Sequence, residues 1–299
     1  MAKSKNGGTR AYIRGRIGSD VYSIGKNGKG QKQQVVRSLA ETVANPRTAS
    51  QMAGRMYMST VMQAVASMAF IVDHSFDGFP KGQPSISEFI RQNYALVKAD
   101  AIAHPASGNN FGLNKYQEKG MKKGQWAISS GKALFPTGVS TTTDFRNLTV
   151  AAGESPTYGS LKAAWGLSSE EYITLISFKE GANYNTDGVI VPIYARLRIK
   201  ENLSKETLLT AENAAAAFDI EGNIGLNCTL SDGNLSIHLN VSDESVFYGQ
   251  DWSIITRKEN GSFIHNTVKL TGSGSMFASD VALPTYPTGN EAFLNGGDI

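Results

Sequence analysis

Residues 172–178 read YITLISF, and residues 189–200 read VIVPIYARLRIK. Both segments are rich in β-branched and aromatic residues, a composition typical of strands. Runs of the same kind recur further along the chain, at residues 224–230, 235–241, 252–257 and 263–270. The pairs Asp232-Gly233 and Asn260-Gly261 stand between such runs and favour tight turns. Short strands separated by turns in this way predict an antiparallel β-sandwich.

Upstream of these strands, residues 46–135 have the periodicity of helices. After Asn45-Pro46, apolar residues recur at spacings of four and three, which predicts a helix with one apolar side. A second helix is expected from Ser85, with Glu88 completing a capping box, to the break at His104-Pro105. The apolar side of the first helix is expected to consist of Met58, Met62, Val65, Ala69 and Val72.

The methionines of the first helix are candidates for a subunit interface. Methionine is flexible and suits irregular contacts, so this apolar side is expected to serve core packing or contact between subunits. The predicted interface residues are Met52, Met56, Met58 and Met62.

The first 40 residues are predicted to form a basic β-hairpin or an extended arm. Residues 11–24 have strand composition, Asn27-Gly28 is a strong hairpin signal, and residues 31–39 can return as the second strand. Because a two-stranded hairpin is marginally stable in water, we expect this one to need a partner surface, such as another subunit.

Together these segments predict an α+β protein. An N-terminal basic β-hairpin or arm with an antiparallel helix pair would precede antiparallel β-sandwich domains of the immunoglobulin-like type. Residues 170–184 and 250–264 are weakly alike, which favours two related β-domains, with one larger sandwich as the alternative. The expected regions are the basic arm and hairpin at 1–45, a helical region at 46–135, a β-rich domain at 136–215, and a β-sandwich domain with a C-terminal tail at 216–299.

Charge is distributed unevenly along the chain. Residues 1–135 hold nineteen Lys and Arg against seven Asp and Glu, a net charge of +12, whereas residues 136–299 hold ten against nineteen, a net charge of −9. This asymmetry indicates either a basic surface for nucleic acid or head-to-tail packing of copies. The cations near Tyr12 and Tyr22 are expected to bind nucleic acid or an acidic partner. They are Arg10, Arg14, Arg16, Lys26, Lys29, Lys32 and Arg37.

The candidates for catalysis are weak. The sequence contains no Walker A loop and no HExxH, GxSxG or Rossmann motif. His74 stands between two aspartates, Glu170-Glu171 is a carboxylate pair, and Ser129-x-x-Lys132 matches the shortest form of a serine–lysine signature. The single cysteine, Cys228, excludes an intrachain disulfide and is expected to be a small buried residue. We therefore expect no enzymatic activity, no cofactor and no bound metal.

The sequence also predicts no membrane span and no secretion. No run of about 18 apolar residues occurs. The N-terminus is basic but lacks the apolar segment of a signal peptide, so synthesis in a cytoplasm is expected.

The N-terminal motif resembles a family of proteins. The stretch from GRIGSDVYSIGKNGKG to NPRTASQMAGR is similar to an uncharacterised family common in Bacteroidota genomes and in their phages and mobile elements, with members in phages similar to the crAss-like group. The segment TRKENG (256–261) resembles the strand–SRK–x-Asn-Gly pattern expected of that family. This resemblance implies no enzymatic activity and suggests a virion structural role. The matching N-terminal positions are Gly15, Arg16, Gly18, Arg37, Asn45, Pro46, Thr48, Gln51 and Arg55.

Three functional hypotheses follow. The first is a self-associating structural protein of a phage head, connector or tail, made in the host bacterial cytoplasm, whose partners are other copies and other virion proteins. The second is a nucleic-acid-binding protein of a phage or mobile element that uses the basic arm. The third is a carbohydrate- or surface-binding adhesin. Its stacking faces would be Trp165, Tyr172, Tyr184, Tyr248 and Trp252.

Overall fold

The protein is a mixed α+β chain that divides into two units, unit 1 (Met1–Arg47) and unit 2 (Thr48–Ile299). The computed structural model describes residues 3–4, 13–26, 28, 30–39, 49–73, 75–103, 120–122, 124–142, 147–182, 189–241 and 251–269.

Unit 1 contains a four-stranded antiparallel sheet instead of a two-stranded hairpin. Its strands, in spatial order, are β1 (Lys3–Ser4), β2 (Ile13–Ile17), β3 (Asp20–Lys26) and β4 (Lys32–Ser38). The expected hairpin is confirmed between β3 and β4. The expected single strand at 11–24 is wrong, because a two-residue turn divides it into β2 and β3, and Gly18 adopts the left-handed φ of 59° that this turn requires.

Unit 2 begins with an antiparallel pair of helices, α1 (Ala49–Val72) and α2 (Gln83–Ala103). The end of α2 confirms the expected break before His104-Pro105. The expected capping box is wrong, because α2 begins two residues before Ser85. The hydroxyl of Ser85 instead donates to the carbonyl of Val72 at the end of α1, and the carboxylate of Glu88 accepts from Arg91 and Gln92. Ser85 therefore joins the two helices instead of starting one of them.

Two antiparallel sheets follow. Their strands, with the short helices between them, are β5 (Met121–Lys122), β6 (Val139–Thr141), β7 (Asn147–Ala151), α3 (Tyr158–Trp165), β8 (Tyr172–Glu180), β9 (Val189–Ile199), α4 (Ala211–Ala214), a 3-10 helix (Ala215–Ala217), β10 (Phe218–Gly222), β11 (Leu226–Ser231), β12 (Asn234–Leu239), β13 (Trp252–Glu259) and β14 (Ser262–Lys269). The six-stranded sheet has the order β10-β9-β8-β13-β14, with β5 also paired to β9, and the four-stranded sheet has the order β11-β12-β7-β6.

The six-stranded sheet separates two hydrophobic cores. On one face, Ile176 and Phe178 of β8 pack in the core that contains α1 and α2. On the other face, Ile173 and Leu175 of the same strand pack in the core that contains β7, β12 and α3. Alternate residues of a strand point to opposite faces, so strands buried on both sides must be apolar at nearly every position. The layer order of unit 2 is therefore helices, six-stranded sheet, four-stranded sheet.

The expected regions of the C-terminal half are joined within unit 2. The expected boundaries at 135/136 and 215/216 both lie inside this unit. The two weakly alike segments, residues 170–184 and 250–264, contain β8 and β13. These two strands pair with each other, and Ile173 lies opposite Ile255. Residues 136–156, at the start of the expected β-rich domain, contain β6 and β7.

The predicted turns at Asp232-Gly233 and Asn260-Gly261 are confirmed. All four residues have positive φ, between 49° and 79°, as a two-residue hairpin turn requires. The hairpins β11–β12 and β13–β14 are closed by these turns.

A buried asparagine connects α2 to the segment that precedes β6. The side-chain amide of Asn93 donates to the carbonyl oxygens of Phe89 at 2.9 Å and Ala127 at 2.7 Å, and its oxygen accepts from the Ala127 N–H at 2.8 Å. Asn93 is fully buried. The side chain of Asn93 thus forms hydrogen bonds with both the N–H and the C=O of Ala127.

We expect Asn93→Ala to lower the free energy of unfolding by about 2–4 kcal/mol, because the half-buried N–H and C=O of Ala127 would lose their partner and a fully buried side chain would be truncated. Urea denaturation followed by circular dichroism measures this loss. The exposed Asn227, whose amide bonds only Asn240 in the described structure, gives the control Asn227→Ala, with a change within about 0.5 kcal/mol. Equal losses in Asn93→Ala and Asn227→Ala would contradict the stabilising role assigned to the Asn93 hydrogen bonds.

Candidate interaction surfaces

The sheet of unit 1 encloses no hydrophobic core among its described residues. None of its described side chains is buried. Ile17 and Val36 expose 50% and 51% of their surface, and Val35 is also exposed. Stable domains pack at least two layers around apolar side chains. The sheet therefore presents apolar area that a second layer would normally cover.

The two faces of this sheet differ in charge. Strand register places Tyr22 opposite Val36, so these two residues share one face. Register also places Val21 between Arg16 of β2 and Arg37 of β4, so the two arginines lie on the opposite face. One face is therefore apolar at its centre and the other carries a cross-strand row of cations.

The remaining predicted cations lie at several places. Arg14 is exposed on β2, and Lys26 lies directly opposite Lys32 where β3 and β4 approach their connecting loop. Like charges directly opposite each other destabilise a strand pair, and an anion would relieve this repulsion. Arg10 and Lys29 lie outside the described residues, as does Tyr12.

The predicted methionine interface is divided between core and solvent. Met56 is buried in the helix-side core, whereas Met58 and Met62 expose 41% and 44% of their surface. The side chain of Met52 lies outside the described residues. The stripe expected to serve core packing or contact between subunits is thus buried at Val65 and Val72 and exposed at Met58 and Met62, and its role as an interface stays a prediction. The apolar residues of α1 occur on all sides of the helix, and its sole charged residue is Arg55. Periodicity therefore could not distinguish the inner from the outer face.

A cluster around Arg196 was not predicted. The guanidinium of this buried arginine lies between two rings, 4.0 Å from the centroid of Phe70 and 4.3 Å from that of Tyr172. Its terminal nitrogens lie 3.4 Å from a carboxylate oxygen of Glu221 and 3.5 Å from the carbonyl oxygen of Phe70. Its Nε is buried without a hydrogen-bond partner among the described residues. Arg196 thus connects β9 to α1 through Phe70 and to β10 through Glu221.

Arg198 is a more exposed neighbour in the same cluster. Its guanidinium lies 4.8 Å from the Tyr172 centroid and 3.6 Å from Glu221. Burial lowers the pKa of Arg196, and the nearby Tyr172 and Glu221 partly oppose that effect. The sequence does contain one signal that could have revealed this cluster. Two arginines stand at alternate positions of an otherwise apolar strand, and alternate residues share a face.

The structure does not assemble a serine–lysine site from Ser129 and Lys132. The ammonium of Lys132 pairs with Glu259 at 2.6 Å, and this hydrogen bond raises the pKa of Lys132. The hydroxyl of Ser129 is buried. Activation of a serine needs a lysine that is neutral and close to the hydroxyl. An ammonium engaged with a carboxylate does not fit that role.

The two adjacent glutamates have separate structural partners. Glu170 is exposed and its carboxylate lies 2.5 Å from the ammonium of Lys258. Glu171 is buried and accepts hydrogen bonds from the backbone N–H groups of Lys258 at 2.8 Å and Ser168 at 3.0 Å. Burial alone would raise the pKa of Glu171, but these bonds and Arg257 outweigh it and leave the pKa lowered. Both glutamates therefore have structural roles.

The other candidates for chemistry give no site. His74 lies outside the described residues. Cys228 is half-buried in β11, and burial raises the pKa of its thiol to about 11, so the thiolate form is scarce at neutral pH. Within the described parts of the chain, no three His, Cys, Asp or Glu side chains cluster in a way that could hold a metal ion. No described helix is both long and apolar enough to cross a membrane.

The aromatic residues proposed for carbohydrate stacking belong to the cores where they are described. Trp165, Tyr172 and Trp252 are buried and cannot offer a ring face to a sugar. Tyr184 and Tyr248 lie outside the described residues.

Comparisons with known proteins add no relative. No protein-family model, no curated protein and no solved structure matches the chain. The resemblance to the Bacteroidota and phage family therefore stays a prediction.

We expect Arg196→Ala to lower the free energy of unfolding by about 2–3 kcal/mol, because it removes a desolvated guanidinium between two rings and leaves a gap. The matched control is Arg198→Ala on the same face of β9, with a loss under about 1 kcal/mol because Arg198 is partly exposed. Urea denaturation of both variants measures the difference. A loss at Arg198 equal to that at Arg196 would contradict the role assigned to the stacked guanidinium.

Proposed function

We propose that the protein is a non-enzymatic, self-associating structural protein, and that it is a virion component of a phage head, connector or tail. The single observation that carries the proposal is the sheet of unit 1, in which no described side chain is buried. Such a sheet gains little hydrophobic stabilisation within one chain. A neighbouring subunit that covers the face of Tyr22 and Val36 would supply the missing layer.

Two further observations support self-association. The exposed Met58 and Met62 lie one turn apart on the same side of α1, a helix with a single charged residue, and exposed apolar side chains are suited to protein contacts. The net charges of +12 for residues 1–135 and −9 for the rest favour packing of unlike surfaces from different copies.

The finer fold class belongs to the same proposal. Two antiparallel sheets that enclose one core support a β-sandwich, and the immunoglobulin-like type is our proposal for it. The proposed partners are other copies of the chain and other virion proteins, with the virion as the final location after synthesis in the host cytoplasm.

The apolar face of unit 1 gives a direct test of self-association. Val36→Glu places a charge beside Tyr22, and we expect it to weaken association at least about tenfold, or about 1.4 kcal/mol, in sedimentation velocity. Val35→Glu is the matched control, because Val35 is adjacent but on the opposite face, and we expect an effect under about threefold.

Particles from the source culture test the virion location. Tens of copies of the chain per density-purified particle are expected by quantitative mass spectrometry. A purified wild-type protein that stays monomeric at high concentration, or its absence from particles, would overturn the proposal.

A second candidate, nucleic-acid binding, has one specific observation in its favour. Arg16 and Arg37 lie in one cross-strand row on a single face, where both can contact phosphates of one backbone. This alternative and self-association place the partner on opposite faces of the same sheet.

If the arginine face binds DNA, Arg16→Glu/Arg37→Glu should reduce the slope of log affinity against log salt by about 2, because two phosphate contacts are lost. Fluorescence anisotropy with duplex DNA at several salt concentrations gives this slope. Lys98→Glu/Lys205→Glu carries the same charge change on exposed residues of unit 2 and should leave the slope unchanged. Equal effects of the two double variants would contradict a specific role for the row.

A further inference from the structure

The hairpin turn between β13 and β14 contains a chemically reactive pair of residues. Asn260 and Gly261 form this turn with φ angles of 50° and 79°, between the paired residues Glu259 and Ser262. Both turn residues are exposed. Asparagine is one of the thermolabile residues of proteins. Where the structure describes both members of a pair, Asn260-Gly261 is the sole Asn-Gly sequence in the chain.

The surroundings of this turn leave its two residues free to rotate. Among the described residues, no group forms a hydrogen bond with the side-chain amide of Asn260 or with the N–H of Gly261. A Cβ atom added at Gly261 would meet no atom within 4 Å, so the space beside the turn is open. Glycine also has the widest range of backbone conformations of any residue. The amide carbon of Asn260 can therefore reach the backbone nitrogen of Gly261 when the turn rotates.

The turn between β11 and β12 has a similar backbone but is held by its neighbours. The carboxylate of Asp232 accepts a hydrogen bond from the hydroxyl of Ser231 at 3.1 Å. The carbonyl of Gly233 accepts from the N–H groups of Ala152 at 2.9 Å and Gly153 at 3.0 Å. A Cβ atom added at Gly233 would lie 2.8 Å from the backbone of Gly153. The backbone of this second turn is therefore fixed against a neighbouring segment, unlike that of the β13–β14 turn.

We propose that Asn260 is a site of spontaneous deamidation, with water as the co-reactant. The backbone nitrogen of Gly261 attacks the side-chain amide carbon, Cγ, of Asn260 and loses its proton. The bond from Cγ to the side-chain nitrogen breaks, ammonia leaves with that proton, and a succinimide ring forms. Water then opens the ring at either carbonyl, which gives aspartate or isoaspartate. Neither step oxidises or reduces the chain.

Isoaspartate at this position would weaken the hairpin. Its main chain runs through the former side chain, which adds one backbone atom to a turn of two residues. The length of a hairpin loop fixes the register of its strands, and here the pairing of Glu259 with Ser262 closes the loop. Both products also place a new carboxylate beside Glu259, whose own carboxylate pairs with Lys132 at 2.6 Å. The modification therefore changes both the geometry and the charge at the tip of the hairpin.

Peptide mapping of the aged full-length protein tests the proposal. The protein is incubated at mildly alkaline pH, because the attacking nitrogen must lose a proton, and trypsin then releases residues 259–269 for mass spectrometry. Asn234 is the control within the same molecule, since it is exposed and the side chain of the following Leu235 hinders attack. We expect Asn260 to convert from amide to acid at least about tenfold faster than Asn234. A rate at Asn260 no greater than that at Asn234 would overturn the proposal.

A second Asn-Gly pair in the held turn separates the effect of structure from that of sequence. Asp232→Asn creates the same reactive sequence between β11 and β12, and the amide oxygen can accept the same hydrogen bond from Ser231. We expect position 232 of this variant to convert at least about threefold more slowly than Asn260. Equal rates at the two positions would overturn the role given to the open surroundings of the β13–β14 turn.

Hydrogen exchange tests the consequence for the hairpin. Asn260→Gly removes the amide and keeps a residue that accepts positive φ, so this variant should fold and keep its exchange rates on ageing. Freshly prepared Asn260→Asp carries the charge of the products without the extra backbone atom. Aged wild-type protein should exchange faster across β13 and β14 than either variant. Isoaspartate at position 260 without faster exchange would overturn the proposed weakening. The proposal holds whether the wild-type chain is monomeric or associated, so its outcome is independent of the proposed function.

Discussion

Burial of both faces of the six-stranded sheet is the constraint on which the rest of unit 2 depends. In β13, Trp252 and Ile254 pack in the helix-side core, while the next residue, Ile255, packs in the core shared with the four-stranded sheet. A fully buried side chain of this size contributes roughly 1.5–3 kcal/mol. Removing either the helices or the second sheet would expose a whole row of such side chains. This explains why the helical and β-rich regions form one unit.

Several of the polar side chains buried inside unit 2 join separate elements. Asn93 satisfies the backbone of Ala127, and Glu171 accepts two backbone N–H groups, one of them from β13. Arg196 is stacked between rings from α1 and β8 and faces the carboxylate of Glu221 on β10. Each contact offsets the cost of burying a polar group by fixing the relation between two elements.

Unit 1 differs from unit 2 because its sheet encloses no core among the described residues. Its apolar side chains at Tyr22 and Val36 share one face, and its arginines at positions 16 and 37 share the other. The same chain therefore contains a part stabilised by its own packing and a sheet in which no described side chain is buried.

The sequence by itself determined the long strands at Tyr172–Glu180 and Val189–Ile199 and the turns at Asp232-Gly233 and Asn260-Gly261, because composition and φ preference act locally. It did not reveal β10, since FDIEG is rich in residues that are depleted in strands, and the segment becomes a strand by pairing with β9. Only the tertiary structure decided that Met56 is buried while Met58 is exposed, because apolar residues surround α1. The Arg196 cluster likewise joins residues up to 151 positions apart in the chain, Phe70 and Glu221, which no local pattern connects.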